Sequence, residues 1–569
     1  MQLLFSFRPA AIRCAISRLA LLSAIVLPLA GAPADAQVRI IEPGSSASDS
    51  ANLEAVYQQG QKLEDSKQWG EALSYYEDAL KANPTDRTLR RRHDAAKIHY
   101  DLGRRYNDVS FRRAMLALGR QQALDLYDEV LLKIDTHHVD SPDWRRLVAR
   151  GTECLSVALD EPSFRKQHLQ NVSAERIAAL RRDLHQSVHG RVIRSRYDAR
   201  NAVVTATQLA RHHLNLPAAA VVMEYVGGAV GGLDTYSGYL TGDQLRDVYA
   251  QIDGNFVGLG IELKSNGEGL VIMGVITGSP AQKAGIVVGD RITAVDGKST
   301  LQLSTDEAAG FLQGPEGSTV QVTVLGADDR TRHLQVTRQH VEVPSIDQVR
   351  IVDQQNGVGY MRLVGFQRTT GRDLDRALMD LNRMGMRSLI IDLRGNPGGL
   401  LTASVEVADR FVNRGTIVST RGRSKQEDYD YTARQSATWR LPLVILIDDQ
   451  SASASEILAA AIRDHRRGTI VGKTSYGKGS VQGIFPLSAT GAGLRLTTAK
   501  FYSPTGKPIS NVGVTPDVVV RQAARPVLNG DVANDAPQAD PTAPLAAAPK
   551  TDAVLEAGVK AAQQQLAKR

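Results

Sequence analysis

The chain has 569 residues, 42% of them hydrophobic and 23% charged, with a formal net charge of +7. That length supports about three or four domains, and so diffuse a positive charge argues against a dedicated nucleic-acid surface. Of the two cysteines, Cys14 falls in a leader-like segment. Once that segment is removed, no intramolecular disulfide is available. Cys154, within GTECLSVAL, reads as a packed apolar side chain and not as a thiol catalyst.

Arg8, Arg13 and Arg18 precede the apolar run LALLSAIVLPLAG, and Ala34-Asp35-Ala36 before Gln37 has the small-x-small form of a cleavage site. This predicts a signal peptide over 1–36 and an exported protein, periplasmic or in the cell envelope. The run is shorter than the roughly 20 residues of a spanning helix, so membrane association is compatible but not required. Residues 37–230 read as a helical domain. Gly60, Ala72, Tyr76, Ala79 and Pro84 fall at the spacing of one tetratricopeptide repeat over 53–86, with Val56 at the usual tryptophan position. Such a domain suits docking of an adaptor protein. Asp135, His137, His138 and Asp140 read as a solvated polar turn and not as a metal site. Residues 231–255 read as a linker helix region.

From Phe256 the chain turns to short β-rich runs with glycine punctuation. Gly258-Leu259-Gly260, Ser279-Pro280-Ala281, Ala284-Gly285 and Gly289-Asp290 make residues 256–338 resemble a PDZ domain. Peptide capture would fall to Gly258, Leu259, Gly260 and Ile261: backbone N–H groups approach a terminal carboxylate, and the strand 261–264 offers an edge for strand addition. A groove helix is expected over 304–313. Residues 339–521 alternate apolar strands with amphipathic helices, the pattern of a mixed sheet covered by helices. An Ala/Pro-rich disordered linker over 522–550 and a terminal helix over 551–569 close the chain. The fold class is multidomain α+β: a helical N-terminal domain, a PDZ-like β domain and a mixed α/β core.

The stretch GKTSYGKGSVQ, from Gly472 to Gln482, admits three chemistries. A phosphate loop needs Ser or Thr after its lysine and a following helix, but Lys478 is followed by Gly479 and a strand-like run. An S-x-x-K nucleophile at Ser475 needs S-D-N and K-T-G elements, and neither tripeptide occurs. The third chemistry makes Lys478 the base for a serine elsewhere, and DDQSASASEILAAAI supplies one on a strand-turn-helix junction. Locally, Ser453 and Glu456 also spell the S-x-x-E capping box, in which the serine serves only as a helix cap. His465, some twelve residues along the helix, would be roughly 18 Å away and offers no triad.

SASASEI followed by VGKTSYGKGSVQ, together with LDTYSGYL, IIDLRGNPGG and SNVGVTPDVVV, resembles the C-terminal processing peptidases, or tail-specific proteases, across about residues 230 to 520. The resemblance implies a serine endopeptidase with Ser453 as nucleophile, Lys478 as general base and Gln482 orienting the lysine. It implies oxyanion donors at the N–H of Ala454 and of Gly398 or Gly399, no cofactor or metal, and protein or peptide substrates with free C-terminal tails. With Lys478, Ser480 and Gln482 on one extended strand, the three side chains are expected on one face, and Val481 and Phe485 are expected to bury the lysine. The alternative from another class is a catalytically inactive PDZ/repeat scaffold of the cell envelope.

Overall fold

The computed structural model describes residues 47–568 except 266–269, 302–310, 313, 327, 435–438 and 521–551. The signal peptide, the Ala/Pro linker and most of the groove helix therefore lie outside the described residues. No helix among those described is long and apolar enough to cross a membrane.

The alternating pattern of the core produces a six-stranded sheet in the order Ile346–Asp353, Val358–Leu363, Ser388–Asp392, Leu443–Ile447, Thr469–Gly472, Val518–Val519. The first pair is antiparallel and the rest are parallel. SLIID and LVILI are buried at every position, because the sheet is covered on both faces. Leu389, Ile391, Leu443 and Ile445 point toward the helices Thr370–Arg383, Leu401–Asp409 and Ala454–Asp464. Ile390, Val444 and Leu446, offset by one residue, point to the terminal helix Ala553–Ala567. The helix Thr370–Arg383 shows how sequence fixes this packing. It buries Leu374, Ala377, Leu378 and Leu381, one stripe at the spacing of helical turns.

A second sheet joins Gly238–Leu240, Ser480–Pro486, Gly493–Tyr502, Thr416–Gly422 and Tyr429–Thr432. Leu494 and Leu496 of this sheet share one hydrophobic core with Tyr127, Leu155, Val222 and Tyr225 of the N-terminal helices. The helical region is thus packed onto the peptidase core. Segment 231–255 is more than a linker, since Gly238–Leu240 pairs antiparallel with the strand Gly493–Tyr502 and the helix Gly242–Asp253 is capped by Thr241. Helices Ala47–Asp65, Trp69–Ala82 and Arg87–Asn107 form their own small cluster around Ala72, Tyr76, Leu89 and Ala96.

Residues 261–337 form a separate sheet in the order Ile261–Ser265, Leu270–Val275, Arg291–Val295, Thr319–Leu325, Thr331–Thr337, and Ile261–Ser265 lies at its edge. Its entry and exit are clasped by pairing of Asn255–Gly258 with Gln339–Glu342.

The expected solvated turn at 135–140 is instead structural. His138 is buried. Its Nε2 meets Asp234 at 2.8 Å and its Nδ1 meets the Asp140 carbonyl at 2.9 Å, while His137 stacks on Phe485. Among the described residues no cluster of His, Cys, Asp or Glu is arranged to hold a metal ion. Burial opposes the charge on His138, but the Asp234 carboxylate and the Asp140 carbonyl hold its pKa above the ordinary value. A raised folded pKa gives stability that is fully present below the unfolded value of about 6.5 and is lost as pH rises through the folded value. The melting-temperature difference between wild type and His138→Asn is therefore expected to be larger at pH 6 than at pH 9. A constant difference would contradict a charged His138.

Candidate active site

The strand Leu443–Ile447 ends in the turn 448–453, and the helix Ala454–Asp464 starts there. Ser453, at the junction, has φ 55 and ψ −113. This positive-φ conformation is strained for a residue with a Cβ and is held only by its surroundings. The capping box explains half of the local arrangement. Glu456 Oε2 accepts the Ser453 N–H at 2.8 Å, whereas the Ser453 hydroxyl makes no cap hydrogen bond and is left for other work. The Ala454 N–H is likewise donated to no described residue, at the positive end of the helix.

Glu456, more than the capping partner that S-x-x-E spells, is the centre of the site. It is fully buried and accepts four hydrogen bonds. Ser475 Oγ and Gly477 N reach Oε1 at 2.6 Å each, and Lys478 N joins Ser453 N on Oε2 at 2.9 Å. One carboxylate thus ties the serine turn to GKTSYGKGSVQ. Burial pushes its pKa up, and the hydrogen bonds oppose that without cancelling it. Ser475, the rejected nucleophile, is buried in this network, and its hydroxyl also accepts the Val514 N–H at 2.7 Å. Gly477 sits at φ 91, a left-handed turn with Asn511 and Val512 packed against its α-carbon.

Lys478 is partly buried on the turn before the strand Ser480–Pro486. Burial is the main cause holding its pKa below the ordinary lysine value. The positive Arg495 nearby adds to this, and Glu456 works against it. Its Nζ lies over the Tyr236 ring, 4.8 Å from the centroid. Tyr236 belongs to LDTYSGYL, where Asp234 accepts the Tyr236 and Ser237 N–H groups at 2.7 and 2.8 Å.

Two expectations about this strand need correction. Lys478 precedes the strand and so lies outside its alternation, whereas Ser480 and Gln482, two residues apart within it, share a face. Gln482 Nε2 donates to Ser480 Oγ at 2.9 Å. Phe485 does not bury the lysine, because it packs on His137 and beneath Lys133. Tyr236 stands over the ammonium instead, a contact no sequence spacing reveals. His465 Nε2 meets the Thr416 carbonyl at 2.7 Å and is committed to the fold.

The loop Arg394 to Gly399 flanks the serine. Asn396 braces it: its carbonyl accepts Ala452 N and Ser455 Oγ at 3.0 Å each, and its Oδ1 accepts the Gly398 N–H at 2.8 Å. Gly399 pairs with Phe366 in an isolated bridge. Gly398, at φ 104, lies directly against the Ser453 turn. A Cβ there would stand 2.8 Å from Ser453 Cβ and 2.9 Å from Ala454 N. Gly398→Ala is therefore expected to cost roughly 10²-fold in kcat/KM by displacing the serine turn, and unchanged hydrolysis of a chromogenic peptide would contradict that placement.

In the smaller sheet, Gly258 closes the clasp strand and Leu259 is buried in the local core. Gly260 has φ 79, with Ser279 occupying the place of a Cβ, and Ile261 opens the edge strand. The Leu259 and Gly260 carbonyls are used by Ala281 and Ile276.

Residues 357–520 match the peptidase family S41 and residues 271–326 match the PDZ domain. Fold and match together define a serine-type protease that carries a PDZ domain. The chain is 38% identical over 304 residues to the carboxy-terminal-processing protease of Bartonella bacilliformis, covering 52% of this chain and 69% of that protein. It is 36% identical over 294 residues to the carboxyl-terminal-processing protease of Synechocystis sp., covering 51% and 68%. Among solved structures, a photosystem II D1 C-terminal processing protease aligns with a TM-score of 0.37 at 27% identity, over 70% of this chain and 93% of that one. The chain belongs to the carboxyl-terminal-processing protease family.

Proposed function

We propose that this protein is an exported endopeptidase that binds the free C-terminal tail of a protein or peptide in its PDZ domain and cleaves the chain through a Ser453/Lys478 dyad. The observation that carries the reading is the Glu456 carboxylate, which gathers the N–H groups of Ser453, Gly477 and Lys478 on one buried group. The two motifs that the chemistry requires are thereby fixed side by side.

In the reaction, Lys478 leaves the Tyr236 ring and its neutral Nζ takes the Ser453 hydroxyl proton as Oγ attacks the scissile carbonyl carbon. The tetrahedral oxyanion is held by the Ala454 N–H and by a glycine of the 398–399 pair. Gly398 already donates to Asn396, which leaves the Gly399 N–H as the second donor. The lysine passes its proton to the leaving amine nitrogen, the C–N bond breaks and an ester remains on Ser453. Water, losing its proton to Lys478, then attacks the ester carbonyl, and Lys478 returns that proton to Ser453 Oγ as the ester C–O bond breaks, releasing the acid and restoring the free serine and neutral lysine. Gln482 orients the lysine when the neutral amine moves toward Ser453.

Tail recognition uses the N–H groups around Gly258, Leu259 and Gly260 for the terminal carboxylate and the free edge at Ile261 for the extended backbone. The N-terminal helices, with the repeat-like segment 53–86, present a surface for an adaptor, and cleavage after Ala36 delivers the protein outside the cytoplasm. The test compares a peptide with an apolar free C-terminus against its C-terminal amide. The free acid is expected to be cleaved with at least a tenfold higher kcat/KM, and equal values would contradict carboxylate recognition.

A further inference from the structure

The terminal helix Ala553–Ala567 carries none of the residues assigned to catalysis, yet it is built into the core. Val554 and Ala562 close over the sheet face of Ile390, Val444 and Leu446, and Gly558 lets the helix backbone approach Leu446. Gln565 fastens the far end. Its Nε2 donates to Thr469 Oγ1 at 2.7 Å and its Oε1 accepts the Leu443 N–H at 3.2 Å.

The near end meets the active-site loop. Asp552 is the helix N-cap and accepts the Leu555 N–H at 3.0 Å. Its two carboxylate oxygens also take Arg394 Nη1 and Nη2 at 2.8 Å each, the bidentate geometry that fixes a guanidinium in plane. Arg394 is held from the other side by Asp392, at 2.6 Å from Nη2 and 3.0 Å from Nε, and Asp392 in turn accepts the Tyr360 hydroxyl at 2.9 Å. Arg394 is the residue from which Gly395, Asn396, Gly398 and Gly399 run to the serine, and Asn396 is the brace of the Ser453 turn.

We propose that Asp552 is a positioning residue for the peptidase reaction: through Arg394 it sets the loop that carries the second oxyanion donor, so the last helix of the chain is a working part of the active site. The proposal rests on the Ser453 protease reading. With Asp552 removed, Arg394 keeps its bonds to Asp392 and the loop keeps those of Gly395 to Asp448 and of Asn396 to Leu363, so the loop stays folded but the Arg394 guanidinium loses one of its two carboxylate partners. The effect falls on the transition state, where the oxyanion forms, and not on substrate binding.

The test uses the full chain. Asp552→Ser retains a good helix cap but is too short to hold Arg394, and Asp552→Asn caps as well but lacks the charge. Asp552→Glu restores a carboxylate. Both Asp552→Ser and Asp552→Asn are expected to lower kcat about tenfold with KM within about twofold. Affinity for a peptide boronate, whose tetrahedral adduct mimics the oxyanion, should fall by the same factor, and Asp552→Glu should recover most of the loss. The melting temperature should stay within about 2 °C of wild type. Wild-type kcat in both Asp552→Ser and Asp552→Asn, or a fall in kcat without a matching fall in boronate affinity, would overturn the proposal alone. Wild-type protein whose cleavage is unaffected by Ser453→Ala would overturn the protease reading and the proposal with it.

Discussion

Ser453→Ala is expected to lower kcat for peptide cleavage by on the order of 10⁴-fold or more, with the melting temperature nearly unchanged, because the hydroxyl holds no described group in the fold. Lys478→Met should produce a loss of similar size, since without a base the serine is a weak nucleophile at neutral pH. The two losses should not add, as the residues act in one step. The same dyad fixes the sign of the pH dependence. Lysine acts as a base only when neutral, so activity rises as pH rises through its pKa. Burial, aided by Arg495, lowers that pKa, and the rise in kcat/KM should be centred below the ordinary lysine value of about 10.4. A kcat/KM with no rise anywhere below about pH 10.4, or a Lys478→Met variant with wild-type rate, would contradict the assignment.

Glu456→Gln is expected to damage stability and rate together. All four hydrogen bonds to Glu456 come from N–H or O–H donors, so an amide turns one acceptor into a donor facing donors. In a fully buried site this costs roughly 2–4 kcal/mol. The relaxed turn separates the serine from the lysine segment, for which a loss of roughly 10²-fold in kcat is expected. Thermal unfolding and peptide cleavage on one preparation measure both effects. A variant with lowered stability but full kcat would show that Glu456 supports the fold without aligning the dyad.

The motifs with local signatures were the legible part of this protein. The apolar strands SLIID and LVILI and the amphipathic stripe of 374–381 obey short-range periodicity, and they appear where that periodicity places them. Ser453 and Glu456 were legible as a pair, but their meaning was not. S-x-x-E spells a cap, and only the tertiary approach of Gly477 and Lys478 reveals the glutamate as the joint between two motifs.

What escaped the sequence depends on long-range contact. Tyr236 over Lys478, His138 on Asp234 and Asp552 on Arg394 join residues distant in the chain, and no residue type at either end announces the partner. The bulge opposite Val481 and Gln482 is invisible for a related reason. The extra residue, Thr498, lies in the partner strand Gly493–Tyr502, and nothing in GKGSVQ announces it.

The central claim is that Ser453 is the residue acylated during cleavage. Incubation of the full chain with a fluorophosphonate, followed by intact mass and peptide mapping, tests this most directly. One adduct per chain is expected, on the peptide containing Ser453, formed more slowly in Lys478→Met and absent from Ser453→Ala. An adduct on another residue, or peptide cleavage that continues in Ser453→Ala, would contradict it.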